Sequence, residues 1–277
     1  MNPVQQALWY IESHFAEPIT LEEIAEAGGV SRHHMTRAFG AAVGASPMRY
    51  MRGRRLSEAA RRLAGGAPDI LGVALDAGYD SHEAFTRAFR DQFGVTPERV
   101  RAAACLDHLK LVEPTRMNEP IKADLAPPRF EDAKTLLIAG LGERYNPQTM
   151  AGIPAQWQRF GPHIGNIPGQ VGGPAYGVIC NGDGEGNIDY IAGVEVTDFD
   201  GLPADFARIR IPAHRYAVFT HAGHVSTIQR TWNAIWSQWL PESGFKSADA
   251  PDFELYGANF DPQSGSGGFE IWIPVTD

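Results

Sequence analysis

Two glutamates near the C-terminus stand beside aromatic residues in segments that alternate like β-strands. In Phe269-Glu270-Ile271-Trp272-Ile273, Glu270 and Trp272 fall on one face, opposite Phe269, Ile271 and Ile273. In Phe253-Glu254-Leu255-Tyr256, Glu254 and Tyr256 share a face opposite Phe253 and Leu255. A carboxylate among aromatic rings suits a lipophilic cation, through charge pairing and the attraction of a cation to the ring face. The plainer reading places both glutamates at exposed sheet positions beside Arg or Lys. Strand parity alone favours that plainer reading.

A second group of residues has the chemistry to hold anions. The stretch 49–62, RYMRGRRLSEAARR, carries six arginines against Glu58 alone. Arginine's planar fork matches phosphate oxygens and the guanine edge better than lysine does. The formal charge of −9 over 277 residues hides this local excess. Residues 1–105 hold 12 Arg, no Lys and 12 Asp+Glu, which sum to zero, so residues 106–277 carry all of the −9. A solvated, charged helix face explains the arginines equally well on charge alone.

The elements that would position these arginines repeat at an interval of fifty. SRHHMTRAFGAAVGASPMR (31–49) aligns without a gap on SHEAFTRAFRDQFGVTPER (81–99). In each copy a short apolar helix meets glycine (Gly28, Gly78). A serine (Ser31, Ser81) then caps a second helix whose inner face is Met35 and Phe39, or Phe85 and Phe89. Arg32, His33, Thr36 and Arg37 point outward in the first copy, and His82, Glu83, Thr86, Arg87 and Arg90 in the second. That is the helix-turn-helix pattern, and the duplication weakens the alternative of an ordinary helical hairpin. A helix between the copies, capped by Ser46 with Pro47 in its first turn and ended by Gly65-Gly66, is a rod of roughly 26 Å. Such a rod holds two reading helices about one DNA turn apart, near 34 Å, and implies an asymmetric site per monomer.

Residues 4–101 resemble the DNA-binding domain of AraC/XylS-type transcription regulators. The carrying residues are Ile70, Val73-Ala74, Gly78-Tyr79, Ser81, Phe85, Arg87, Phe89-Arg90, Gly94, Thr96-Pro97 and Arg101. The chain departs from that pattern at Ala84 and Val100, where aromatics are usual. The resemblance implies that His33, Thr36, Arg37, Glu83 and Arg87 read bases, and that Ser31, Arg49 and Arg90 hold phosphates.

Beyond residue 106 the period changes. The expected organisation is a DNA-binding domain over 1–106, a linker over 107–117 and a second domain over 118–277. Prolines 114, 120, 127 and 128 mark the boundary, with a first edge strand over 119–125. Segments 134–141, 175–180, 214–220, 253–260 and 269–275 read as strands, and helices are expected around 147–161 and 224–240. The second helix carries an apolar stripe, Ile228, Trp232, Ile235, Trp236, Trp239 and Leu240. Trp157 and Trp236 hold similar places in the two helices, which suggests a doubled unit of strand, helix, strand, Gly-rich turn and strand. The expected fold class is therefore multidomain. An all-α double helix-turn-helix precedes an α+β domain, an antiparallel sheet with its helices on one face and a pseudo-twofold repeat.

Residues 118–277 resemble the GyrI-like effector-binding domain, through Trp236-x-x-Trp239-Leu240-Pro241-x-Ser243-Gly244, Phe253-Glu254-Leu255-Tyr256 and Phe269-Glu270-Ile271-Trp272-Ile273-Pro274. The resemblance implies a small, often amphipathic ligand contacted by an acidic residue near the C-terminus. By position Glu270 is the first candidate and Glu254 the second, with Trp157, Tyr176, Trp232, Trp236, Tyr256 and Trp272 as walls.

Other features point nowhere. His214, His221 and His224 lack a Cys or acid at metal spacing, NGDGEGN (181–187) lacks the lysine and helix of a P-loop, and no nucleophile–base set has catalytic spacing. No cofactor or metal is expected. The reading is a cytoplasmic, non-enzymatic transcription regulator, an activator that meets double-stranded DNA, RNA polymerase and a small hydrophobic effector, for which a cation is well suited. No signal peptide or membrane span is expected. Two alternatives stay open for the second domain. It could be an enzyme using Glu254 or Glu270 as a base on a lipophile, or a protein-interaction module.

Overall fold

The computed structural model describes residues 3–115 and 125–276, and the strand expected over 119–125 falls almost wholly outside them. The chain divides into two compact units, residues 1–35 with 45–118 and residues 36–44 with 119–277.

Helices build the first unit: α1 (Pro3–His14), α2 (Leu21–Ala27), the start of α3 (Arg32–Val43), α4 (Pro47–Ala64), α5 (Ile70–Asp76), α6 (His82–Phe93) and α7 (Pro97–Ala103). Their ends follow the duplicated residues. Ser31 Oγ accepts from the His34 amide at 3.2 Å, and Ser81 Oγ from the Ala84 amide at 3.1 Å, so both outward-reading helices start on the same cap. Gly94 adopts φ 72° and donates its N–H to Arg90 O at 2.8 Å, closing α6 where only glycine is unstrained. Leu56, Leu63, Ile70, Val73, Phe85, Phe89 and Val100 form the core of the second copy. The rings of Phe85 and Phe89 lie 5.5 Å apart one helical turn from each other, and truncating either to Ala costs about 3–5 kcal/mol. Val100 is fully packed here, so its departure from the family pattern leaves the core closed.

Most of the arginine-rich stretch on α4 serves the fold. Arg54 is buried and grips Glu12 of α1 through Nε (2.9 Å) and Nη2 (3.0 Å), while its Nη1 donates to Val112 O at 3.0 Å. Arg55 donates to the carbonyls of Phe15 and Glu17. Arg61 pairs with Glu113 at 2.6 Å and Arg62 with Asp76 at 2.7 Å. The expected linker is likewise tied down over its described part: the Val112 amide donates to Ser57 Oγ (2.8 Å) and the Thr115 amide to Tyr50 Oη (2.8 Å). Residues 107–115 thus belong to the first unit, because the buried polar groups of α4 use their backbone as partners.

The second unit is a sheet with strand order β1-β6-β9-β8-β3-β4-β2-β5, and β7 pairs the end of β9. The strands are β1 (Arg129–Ala133), β2 (Leu136–Tyr145), β3 (Gln170–Cys180), β4 (Ile188–Val196), β5 (Ala207–Ile211), β6 (His214–His221), β7 (Lys246–Ser247), β8 (Asp252–Tyr256) and β9 (Phe269–Thr276). All ladders are antiparallel. Helix α8 (Ile153–Phe160) follows β2. Helix α9 (Ile228–Ala234), the π-helical turn Ile235–Trp239 and α10 (Leu240–Ser243) follow β6. The order encodes the doubled unit. Outward from the central β3–β8 pair, each half runs second strand, third strand, first strand: β3, β4, β2 on one side and β8, β9, β6 on the other.

Register assigns the faces. Glu254 lies opposite Gly177 and Ile271, Ile179 opposite both Asp252 and Tyr190. Asp252, Glu254, Tyr256, Gly177 and Tyr190 therefore share one face. Both helices pack there, since Gln156 Nε2 of α8 donates to the carbonyls of Leu141 (2.7 Å) and Tyr190 (3.0 Å), and Trp232 of α9 meets Glu254. The other face carries a separate apolar cluster of Leu136, Ile138, Tyr176, Val178, Ile211, Tyr216, Val218 and Phe253.

Candidate functional site

The expected ligand residues separate into two constellations on opposite faces of the sheet. On the helix face, Glu254 is nearly inaccessible, 5% exposed, and its carboxylate is fully engaged. Oε2 accepts from Tyr190 Oη and from Tyr256 Oη, both at 2.8 Å, and Oε1 accepts from Trp232 Nε1 at 3.1 Å. Trp157 Nε1 donates to Tyr190 Oη at 2.9 Å, and its ring meets Tyr256 edge-on at 5.1 Å. Trp236 stands on the π-helical turn and is buried; such turns are frequent at functional sites.

One missing side chain makes this network possible. Tyr190 is on β4 and Glu254 on β8, with β3 between them. At the crossing point β3 has Gly177, where a Cβ would lie 2.2 Å from Tyr190 Oη and 2.6 Å from Glu254 Oε2. Burial raises the Glu254 pKa above its ordinary value, against the three donors and the Arg37 charge, which lower it. Burial and the neighbouring carboxylate push the phenols of Tyr190 and Tyr256 well up. A carboxylate caged by rings and hydroxyls, with burial opposing its charge, is stabilised by an incoming cation more than a solvated one would be.

On the opposite face Glu270 is already neutralised. It pairs with Arg129 at 2.9 Å and accepts from Trp272 Nε1 at 3.0 Å, and the Arg129 guanidinium lies 5.7 Å from the Trp272 ring centre. Its side chain is 27% exposed. Tyr176 and Trp272 flank this region. Tyr176 Oη reaches Glu195 at 3.5 Å, and burial together with that carboxylate pushes its pKa up to about 12. Trp272 stacks on Phe253 with centroids 5.2 Å apart. The plainer reading, a surface acid with a basic neighbour, thus describes Glu270 and fails for Glu254. Sequence reasoning missed Tyr190, although Ile188-Asp189-Tyr190-Ile191-Ala192 has strand character, and it missed Arg129 and Asp252 as partners.

Of the expected DNA contacts, Ser31, Arg32, Arg49, Glu83, Arg87 and Arg90 are exposed, and His33, Thr36 and His82 are half-buried. Arg87 and Arg90 enter no ion pair among the described residues, and both project from α6. Arg32 pairs with Glu22 at 2.5 Å and His82 meets Glu98 at 2.9 Å. The Thr86 hydroxyl is buried, against the expected outward direction, because α6 turns it toward the core side of the helix. Arg37 belongs to the second unit. Its Nη2 lies 3.1 Å from Asp252 Oδ2, and its guanidinium carbon is 4.9 Å from the Trp232 ring centre and 5.6 Å from that of Trp236. Among the described residues no group of three or more His, Cys, Asp or Glu is arranged to hold a metal. No described helix is long and apolar enough to cross a membrane.

A paired helix-turn-helix and a small-molecule-binding sheet in one chain define an AraC-type regulator with an effector domain. Residues 126–276 match the family described as GyrI-like small molecule binding domain, and residues 24–103 match a helix-turn-helix domain family. The chain belongs to the GyrI-like family and carries an AraC-type helix-turn-helix ahead of it, the organisation of a DNA-binding transcription regulator. Transcriptional regulator Rob of Salmonella typhimurium is 25% identical over 274 residues, 95% of this chain and 92% of Rob. The right origin-binding protein of Escherichia coli is 24% identical over 98% of this chain and 97% of its own length. The multiple antibiotic resistance protein MarA of Salmonella typhimurium is 33% identical over 35% of this chain and 77% of its own. Among solved structures, SAV2435 bound to tetraphenylphosphonium is 22% identical with a TM-score of 0.44, covering 55% of this chain and 94% of that one. A probable AraC family regulator from Rhodopseudomonas palustris is 34% identical with a TM-score of 0.35, over 38% and 98%.

Proposed function

We propose that this regulator senses a lipophilic cation at Glu254, not at Glu270, and acts in the cytoplasm as an activator that brings RNA polymerase to an asymmetric operator. The observation that carries the sensing is the caged carboxylate: among the described residues Glu254 forms no ion pair, the Arg37 charge near it being paired with Asp252, while Tyr190, Tyr256 and Trp232 donate to its oxygens and Trp157 backs Tyr190. Such a cage recognises charge and excludes small hydrated cations, which lose too much solvation on entering it. Three donors already hold the carboxylate oxygens, which suits charge recognition better than proton abstraction and supports a sensor over an enzyme. On the DNA side, Arg87 and Arg90 on α6 are exposed and support the expected base and phosphate contacts respectively.

The test titrates the full chain with tetraphenylphosphonium while following tryptophan emission, since Trp157 and Trp232 lie in the network. Saturable quenching should persist in Glu270→Gln and be lost in Glu254→Gln. Loss in Glu270→Gln with retention in Glu254→Gln would move the site to the other face and overturn the assignment.

A further inference from the structure

Asp252 and Glu254 are two residues apart on the same face of β8, and Trp232 touches the surroundings of both. Its indole N–H goes to Glu254 and its ring face to the Arg37 guanidinium. The slot beside Glu254 is therefore filled by a delocalised cation supplied by the chain itself. That cation is well enclosed, since the Arg37 side chain is 16% exposed and the Asp252 side chain 0%. It is also imperfectly matched: the Arg37 Nε is buried with no acceptor among the described residues. A guanidinium satisfied through one ion pair and two ring faces is held more weakly than one with all its donors used.

We infer that Arg37 is a tethered stand-in for the cationic effector, so that a lipophilic cation taking the slot of Asp252, Trp232 and Trp236 sets Arg37 free to meet DNA. The inference rests on the reading of the Glu254 site given above. Arg37 sits on α3 at the position matching Arg87 of α6, the outward arginine of the second copy. One guanidinium cannot lie against the Trp232 and Trp236 indoles and also reach a guanine edge. Effector binding and operator binding both require Arg37 to leave the slot, so each favours the other. Linkage makes the two effects equal, and couplings of this kind fall at about 5- to 150-fold.

The experiment compares wild type, Arg37→Ala, Asp252→Asn and Glu254→Gln as full chains, each checked for native secondary structure. Tetraphenylphosphonium affinity is read by tryptophan quenching, and operator affinity is read on DNA selected from a random pool by the wild-type chain. Removing the internal competitor should tighten cation binding to Arg37→Ala by about fivefold or more. Saturating cation should tighten operator binding by the wild type to a similar degree and leave that of Arg37→Ala unchanged. Asp252→Asn loosens the hold on Arg37 and should raise operator affinity in the absence of cation, an independent readout if Arg37→Ala fails to fold. Unchanged or weaker cation binding in Arg37→Ala, or an operator affinity that cation leaves alone or lowers, overturns the stand-in. If Glu254→Gln abolishes binding while Arg37→Ala leaves it unaltered, the sensor survives and only the stand-in falls. If neither wild type nor Arg37→Ala binds the cation, both fall.

Discussion

Substituting Gly177 by alanine places a methyl 2.2 Å from Tyr190 Oη, 2.6 Å from Glu254 Oε2 and 2.9 Å from Tyr190 Cζ. Ordinary heavy-atom contacts lie near 3.5–4 Å, so the ring and the carboxylate must each retreat by roughly an ångström. The hydrogen bond between them is lost, and one to a charged group contributes about 1.5–3 kcal/mol. Overpacking in a closed core adds about 1–3 kcal/mol. Against this, alanine is better than glycine inside a strand by about 0.5–1 kcal/mol. The balance is a loss of about 2–5 kcal/mol in the second unit, and weaker cation binding because the cage no longer closes on Glu254. Gly173→Ala is the matched control in the same strand: it has ordinary φ and nothing within 4 Å of the added carbon, so only the favourable strand contribution remains. Urea unfolding of the full chain, followed by tryptophan emission, reads both. Five of the six tryptophans (157, 232, 236, 239 and 272) report on the second unit. A Gly177→Ala protein as stable as Gly173→Ala, with unchanged affinity for tetraphenylphosphonium, would refute the claim that β3 leaves this gap for the Tyr190–Glu254 contact.

The raised Glu254 pKa gives a pH signature. A carboxyl whose folded pKa is raised contributes stability that is complete below its ordinary value of 4.5 and lost as pH rises through the raised value. A permanent cation restores part of that loss, so the increase in Tm given by tetraphenylphosphonium should grow with pH above 4.5, and a flat or shrinking increase contradicts the role of Glu254. Arg87→Ala should relax preference at one operator base pair by about 1–3 kcal/mol in a binding-site selection, whereas uniform weakening across sequences would make Arg87 a phosphate contact. Arg54→Ala, on the same basic-looking part of the chain as Arg49, should instead lower stability by about 3 kcal/mol, the lower end for a broken buried pair since Glu12 keeps 24% of its side chain exposed. Its operator preference should be unaltered.

Local signals made the first unit legible. Serine caps, glycine turns and large apolar residues one turn apart, Met35 and Phe39 or Phe85 and Phe89, each act within a few residues, and the fifty-residue repeat shows them twice. The function of the arginines on α4 was hidden for the opposite reason. Arg54 is structural because Glu12 lies 42 residues away, a pairing that charge counting along 49–62 does not contain. In the sheet, long alternating segments announced β2, β3, β6, β8 and β9. By contrast, β1 (RFEDA) is a short charged edge, and β5 (ARIRI) alternates over only five residues. The ranking of the two glutamates was beyond local pattern altogether. Both sit between apolar residues with an aromatic two positions on. What separates them is that Arg129 reaches one, while Tyr190 reaches the other over a glycine in the intervening strand.

The ladders differ in length across the sheet: β2 and β4 share eight residue pairs, β3 and β8 five, and β8 and β9 three. The two halves of the doubled unit are joined through the β3–β8 ladder, and Glu254 is set into that joint opposite Gly177. Its donors come from both sides of that joint, Tyr190 from one half and Tyr256 and Trp232 from the other, so one carboxylate fastens the two halves as a pin fastens the leaves of a hinge.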